Sequence, residues 1–84
     1  MGLTITIVTP APAGSRAGNR ISALRYARLL RALGHAVRVL SRWDGVRRDL
    51  LIVLNAQRGA DVVLRARALH RYMPRIVVLT GTDV

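Results

Sequence analysis

Two short polar stretches carry the residue types that could do chemistry. Residues 9–20, TPAPAGSRAGNR, hold two glycines (Gly14, Gly18), two hydroxyl side chains (Thr9, Ser15) and two arginines (Arg16, Arg20). Thr80-Gly81-Thr82-Asp83 combines hydroxyls and a glycine with one of only four acidic residues. A glycine-bearing corner that leads into a helix offers free backbone N–H groups and the positive end of the helix dipole. Gly14 and Gly18 would let the backbone come close to an anion, and Arg16 and Arg20 would add charge-assisted hydrogen bonds to it. The spacing is neither GxGxxG nor GxxxxGK[ST], so it specifies no dinucleotide or Walker-type site. A tight turn that needs small residues accounts for it as well. Asp83 has the chemistry of a general base or an acceptor for sugar hydroxyls; the plainer role is a helix N-cap.

The remaining polar residues are sparser. Asn55-Ala56-Gln57-Arg58 follows an apolar run and reads either as ligand contacts or as the lead into a helix. Trp43 and Asp44 stand where dinucleotide folds place a ribose- or base-binding group, and a Trp packed on the sheet edge fits equally. His35 reads as a solvent-facing or edge residue and His70 as a surface residue. No Ser/His/Asp set or carboxylate pair can be assembled. With no cysteine, two histidines and four acids, a protein-built metal site is not expected, nor is a bound cofactor.

Placing these stretches requires elements. Leu3 to Val8 is apolar and β-branched at nearly every position, as in a strand covered on both faces. From Asn19, read as an N-cap, the period is helical to Leu33. Ala23, Tyr26, Ala27, Leu30 and Leu33 share one face; Arg20, Arg28 and Arg31 share the other. Gly34 stands where a C-cap glycine belongs. His35 to Leu40 is a second strand, and Asp44-Gly45 marks a turn in the loop 41–48. Asp49 to Leu54 is a third strand. A second helix is expected from Gly59 to Tyr72, with Val62, Ala66, Leu69 and Met73 at helical spacing, ended by Pro74. Arg75 to Leu79 is a fourth strand. Strands apolar on both faces point to a parallel α/β sheet of the Rossmann-like kind, four strands with two helices. The short link between strands two and three leaves a hairpin as the competing local reading; the absence of a polar face on residues 49–54 favours parallel pairing.

Composition sets outer limits. At 84 residues the chain holds one small domain at most, and 51% hydrophobic residues exclude a disordered tail. No apolar run is long enough for a membrane span, and no signal peptide is recognisable, so a cytoplasmic setting is expected. The net charge of +10 comes from 14 basic residues that are all arginine. They are scattered rather than blocked, and only three aromatic residues are present, so a stacking platform for nucleic acid is hard to build. Nucleic acid is therefore not expected as the partner, and a small basic anion- or nucleic-acid-binding module is the reading from another functional class.

Taken together, Val8-Thr9-Pro10, Gly14-Ser15-Arg16-Ala17-Gly18-Asn19-Arg20 and Leu33-Gly34-His35, with Trp43-Asp44-Gly45 and Thr80-Gly81-Thr82-Asp83, resemble the amino-terminal domain of GT-B-fold glycosyltransferases. The resemblance is closer to the selenosugar synthases of selenoneine biosynthesis and spans essentially the whole chain. It implies a two-domain enzyme. Residues 1–84 would be a partial, acceptor-side, amino-terminal domain, and a donor-binding domain would follow. It further implies transfer of a sugar from a UDP-sugar resembling UDP-N-acetylglucosamine to selenophosphate, with no metal; a related enzyme with an ordinary sugar or lipid acceptor is the alternative. On this reading Arg16 neutralises charge and Asp83 orients or activates as catalytic residues. Gly14, Ser15, Gly18, Asn19, Arg20, Thr80, Gly81 and Thr82 bind substrate. One departure is Asn55-Ala56-Gln57, where the family resemblance leads one to expect a His-Ala-Arg-like triplet.

Overall fold

A computed structural model describes residues 2–9, 18–54 and 56–78. The elements run β1 (Thr4–Val8), α1 (Gly18–Ala32), β2 (Ala36–Leu40), β3 (Leu50–Leu54), α2 (Ala56–Leu69) and β4 (Arg75–Val78). They form an α/β unit with one four-stranded, wholly parallel sheet in the order β2-β1-β3-β4. This is the Rossmann-like architecture that the double-faced apolar strands require.

Alternation along the strands divides the core in two. Ile5, Ile7, Ile52 and Leu54 point to one face and meet Ala23 and Ala27 of α1. Val8, Leu51 and Val53 point to the other and meet Trp43, Met73 and Ala66 of α2. The two alanines let α1 lie close on the sheet. Tyr26 and Leu33, expected on that buried face, are instead exposed along its flank, because the stripe touching the sheet is only Ala23-Ala27-Leu30 wide.

The hairpin reading is excluded, and the parallel one has an unexpected form. β3 does not lie beside β2; both flank β1. Residues 41–49 therefore cross β1 on the face that also carries α2 and return to the opposite end of the sheet. A five-residue strand is roughly 17 Å long, and nine extended residues span up to roughly 30 Å, so no helix is needed to make the return. The chain moves one way across the sheet through α1 and the other way through the later connections. A single crossover handedness then puts these on opposite faces.

β1, β2 and β3 begin one residue later than expected and α1 ends one earlier; three further helix boundaries differ from the periodicity. α1 already includes Gly18, so Asn19 lies inside the helix and is not its N-cap. α2 starts at Ala56 and ends at Leu69 rather than running from Gly59 to Tyr72. Ala56, Gln57 and Arg58 are good helix formers and extend it backwards through Gly59. Its far end is set by the turn at residues 70–73, where Met73 N–H bonds the His70 carbonyl at 3.0 Å. Pro74 disfavours helical geometry at the residue before it. Met73 thus reaches the core from that turn and not from the helix face. The glycine closure of α1 is as expected. Gly34 has φ 96°, its N–H bonds the Arg31 carbonyl (3.0 Å), and His35 N–H bonds that of Leu30 (3.1 Å), a Schellman closure.

Candidate functional site

In an open parallel sheet, ligands bind outside the carboxyl ends of the strands, where the strand order reverses direction. Here that switch point lies between β1 and β3. Two corners open there: the β1-to-α1 corner, which contains the 9–20 stretch, and the β3-to-α2 corner at Asn55. The end of β4, leading to Thr80–Asp83, is one strand further along the same edge.

Thr9 is the one member of the expected anion corner whose side chain is described. It follows β1 directly, its N–H bonds the Leu40 carbonyl at 2.9 Å, and it is wholly buried. Its Oγ1 has no hydrogen-bond partner among the described residues. A buried hydroxyl without a partner costs about 1–3 kcal/mol. Gly18, Asn19 and Arg20 form the opening turn of α1, so three members of the set belong to the helix end and not to the loop before it. Gly14, Ser15, Arg16, Thr80, Gly81, Thr82 and Asp83 lie outside the described residues, as does Asn55.

Trp43-Asp44-Gly45 has a structural part to play. Trp43 is 5% exposed, packed among Val8, Leu51, Val53, Ala66 and Met73. The His70 ring meets it edge-on, centroids 6.0 Å apart, and the Arg65 guanidinium lies 5.7 Å from its ring centre. Neither face of the indole is free to stack on a base. Asp44 Oδ1 accepts from Val46 N–H at 3.0 Å and closes a turn in which Gly45 has φ 78°; its Oδ2 pairs with Arg48 at 3.3 Å. The crossover is thus a buried Trp followed by a self-bonded turn.

His70 is not a surface residue. It is half-buried, and its Nε2–H donates to the Gly45 carbonyl at 2.8 Å, tying the end of α2 to the crossover. A carbonyl can only accept, so the Nε2 nitrogen carries the proton. Periodicity could not show this, because the partner belongs to a loop 25 residues away. His35 is half-buried at the amino end of the sheet, where its Nδ1 accepts from Leu3 N–H at 3.0 Å.

A second depression, about 500 Å³, opens beside the early parts of β1 and β2 and is lined by Arg38, Arg47, Arg48, Thr4 and Ala36 among others. Of its three arginines, Arg48 alone forms an ion pair among the described residues. Asp44 pairs with Arg48, and Asp49 feels the charge of Arg47. Asp49 Oδ2 accepts from both the amide (2.8 Å) and the hydroxyl (3.0 Å) of Thr4. Those two hydrogen bonds, the backbone one foremost, hold its carboxyl below the ordinary value of 3.8. Among the described residues no cluster of three or more metal-ligating side chains occurs, and no helix is long and apolar enough to cross a membrane.

No protein-family model matches the chain, and no curated protein matches it.

Proposed function

We propose that the carboxyl edge at the β1–β3 switch point binds a phosphate-bearing substrate, and that the chain is the acceptor-side part of a GT-B-type glycosyltransferase. In this reading a UDP-sugar such as UDP-N-acetylglucosamine, selenophosphate and water give a selenosugar, UDP and phosphate. Selenium attacks the anomeric carbon as the bond to UDP breaks, and the selenium–phosphorus bond is then hydrolysed. Arg16 and the amides that open α1 neutralise the anion, while Thr82 and Asp83 orient the acceptor or the sugar. The observation that supports an anion here is Thr9, a fully buried hydroxyl at the end of β1 that, like Thr6 Oγ1 and Trp43 Nε1, has no partner among the described residues, and that lies at the carboxyl edge. The choice of anion rests on the resemblance carried by GSRAGN and TGTD. WDG now lends it fold similarity alone.

The test joins this chain to the donor-binding half that the reading requires and supplies UDP-N-acetylglucosamine with and without enzymatically generated selenophosphate. UDP release and selenosugar mass are followed. UDP release that depends on selenophosphate, and falls by about a hundredfold in Arg16→Ala, is the expected result. UDP release only with a hydroxyl acceptor gives the reaction to an ordinary glycosyltransferase of the same fold.

A further inference from the structure

The depression beside the early parts of β1 and β2 lies at the amino end of the sheet, opposite the switch point. It measures about 500 Å³ and is lined by Thr4, Ala36, Val37, Arg38, Arg47 and Arg48 among others. Small-molecule sites range over about 300–1,000 Å³. Two carboxylates stand near it, and both are engaged. Asp44 Oδ2 holds Arg48 at 3.3 Å, while Asp49 Oδ2 accepts from the amide and the hydroxyl of Thr4. Arg38 and Arg47 are exposed and form no ion pair among the described residues. Three arginines against two carboxylates leave a net positive charge.

The two unpaired guanidinium groups are presented by separate elements, each fixed. Arg38 stands in the middle of β2, in register with Thr6. Arg47 stands on the crossover between two anchors. On one side is the turn closed by the Val46 N–H bond to Asp44 Oδ1. On the other, the Asp49 carboxylate is tied to Thr4. Side chains carried on a backbone that is already ordered lose less entropy when they take up a ligand.

The edge of the sheet adds a donor. β2 is the last strand on its side. Ala36 N–H turns inward to the Leu3 carbonyl, so the N–H and the carbonyl of Val37 turn outward. That carbonyl takes the Arg31 guanidinium at 2.8 Å. The Val37 N–H is left as a donor at the open edge. An edge with its acceptor filled and its donor open does not suit a further strand, which needs both, and it does suit an anion.

We propose that Arg38, Arg47 and the Val37 N–H form a binding site for a phosphate group. A carboxylate is satisfied by one bidentate arginine, whereas guanidinium groups on two elements together with an amide match the several oxygens of a phosphate. The site stands apart from the proposed activity, which uses the carboxyl ends of the strands.

The test titrates the 84-residue chain, labelled with nitrogen-15, with inorganic phosphate and in parallel with glycerol 3-phosphate. Sodium chloride at matched ionic strength is the control. Saturable shifts of the Val37 and Arg38 amides and of the Arg38 and Arg47 Nε–H signals are expected with phosphate and not with chloride. Tighter binding of the ester identifies an esterified phosphate as the occupant, and tighter binding of inorganic phosphate the free ion. Arg38→Ala and Arg47→Ala, both at exposed positions, are each expected to weaken binding about fivefold. Arg67→Ala, on the exposed side of α2, is expected to leave it unchanged. Absence of saturable shifts at these three residues, or the same shifts with chloride, would overturn the proposal. So would an equal loss in Arg67→Ala, which makes the effect a diffuse attraction to the net charge of +10. Shifts confined to Thr9 and residues 18–20 would overturn it too, since they put the phosphate at the carboxyl edge alone.

Discussion

Asp49 accepts from the amide and the hydroxyl of Thr4 across 45 residues of chain and so pins the crossover's return to the beginning of β1. Its folded-state carboxyl is lowered, so its contribution is present above the unfolded carboxylate value of about 3.9 and is lost as pH falls through the lower folded one. Asp49→Asn is accordingly expected to melt at a lower temperature than the parent near neutral pH. The gap should close progressively on acidification below about pH 4, as followed by circular dichroism. Thr9 makes a prediction of opposite character. With no partner to lose among the described residues, Thr9→Val is expected to leave stability unchanged or slightly raised. If a phosphate group is the missing partner, the same change weakens binding of inorganic phosphate by about tenfold, which titration calorimetry reads directly. Asp49 reads in the sequence as the start of an apolar strand, because its partner is 45 positions away. Thr9 reads as one hydroxyl of the glycine-bearing corner, but its burial without a partner among the described residues is not legible there.

At the scale of elements, the α1 terminus was legible because a C-cap glycine acts through its own backbone. Gly34→Ala places a side chain at φ 96° and is expected to cost about 1–2 kcal/mol, measured by urea denaturation. The crossover was not legible, because its form depends on where β3 sits and not on its own residues. Its stability rests on Trp43, which fills the space that a crossover helix would otherwise cover. Trp43→Ala is expected to remove about 3–5 kcal/mol. Total stability for a domain of this kind is about 5–15 kcal/mol, so near-complete loss of cooperative unfolding is the expected thermal scan. His70 tethers the same crossover from α2. His70→Ala, leaving the Gly45 carbonyl to water, should cost less, about 1 kcal/mol. His70 reads as a surface residue in the sequence, but it lies just past the end of α2 and the crossover passes beside it.

For the molecule as a whole, the sheet class followed from strands apolar on both faces, since only burial on both sides tolerates Leu50–Leu54 as they stand. Strand order was beyond the sequence; pairing of β1 with both β2 and β3 is decided by the reach of residues 41–49. The same order places the β1 corner at the switch point, the position that makes the anion reading worth testing. Among the described residues it also leaves one face half open, which periodicity on α1 concealed by assigning Tyr26 and Leu33 to the buried side.

The central place of β1 has a consequence for how the chain acquires its structure in time. Within this sheet β1 has no neighbour until residues 36–40 exist and gains its second only with residues 50–53. Every strand pairing is non-local, a pattern associated with slow folding, because loop closure must precede any reward from contact. An emerging chain therefore carries Ile5, Ile7 and Val8 without their full set of strand partners until residues 50–53 have been made, and its kinetics are set by a return of the chain to β1.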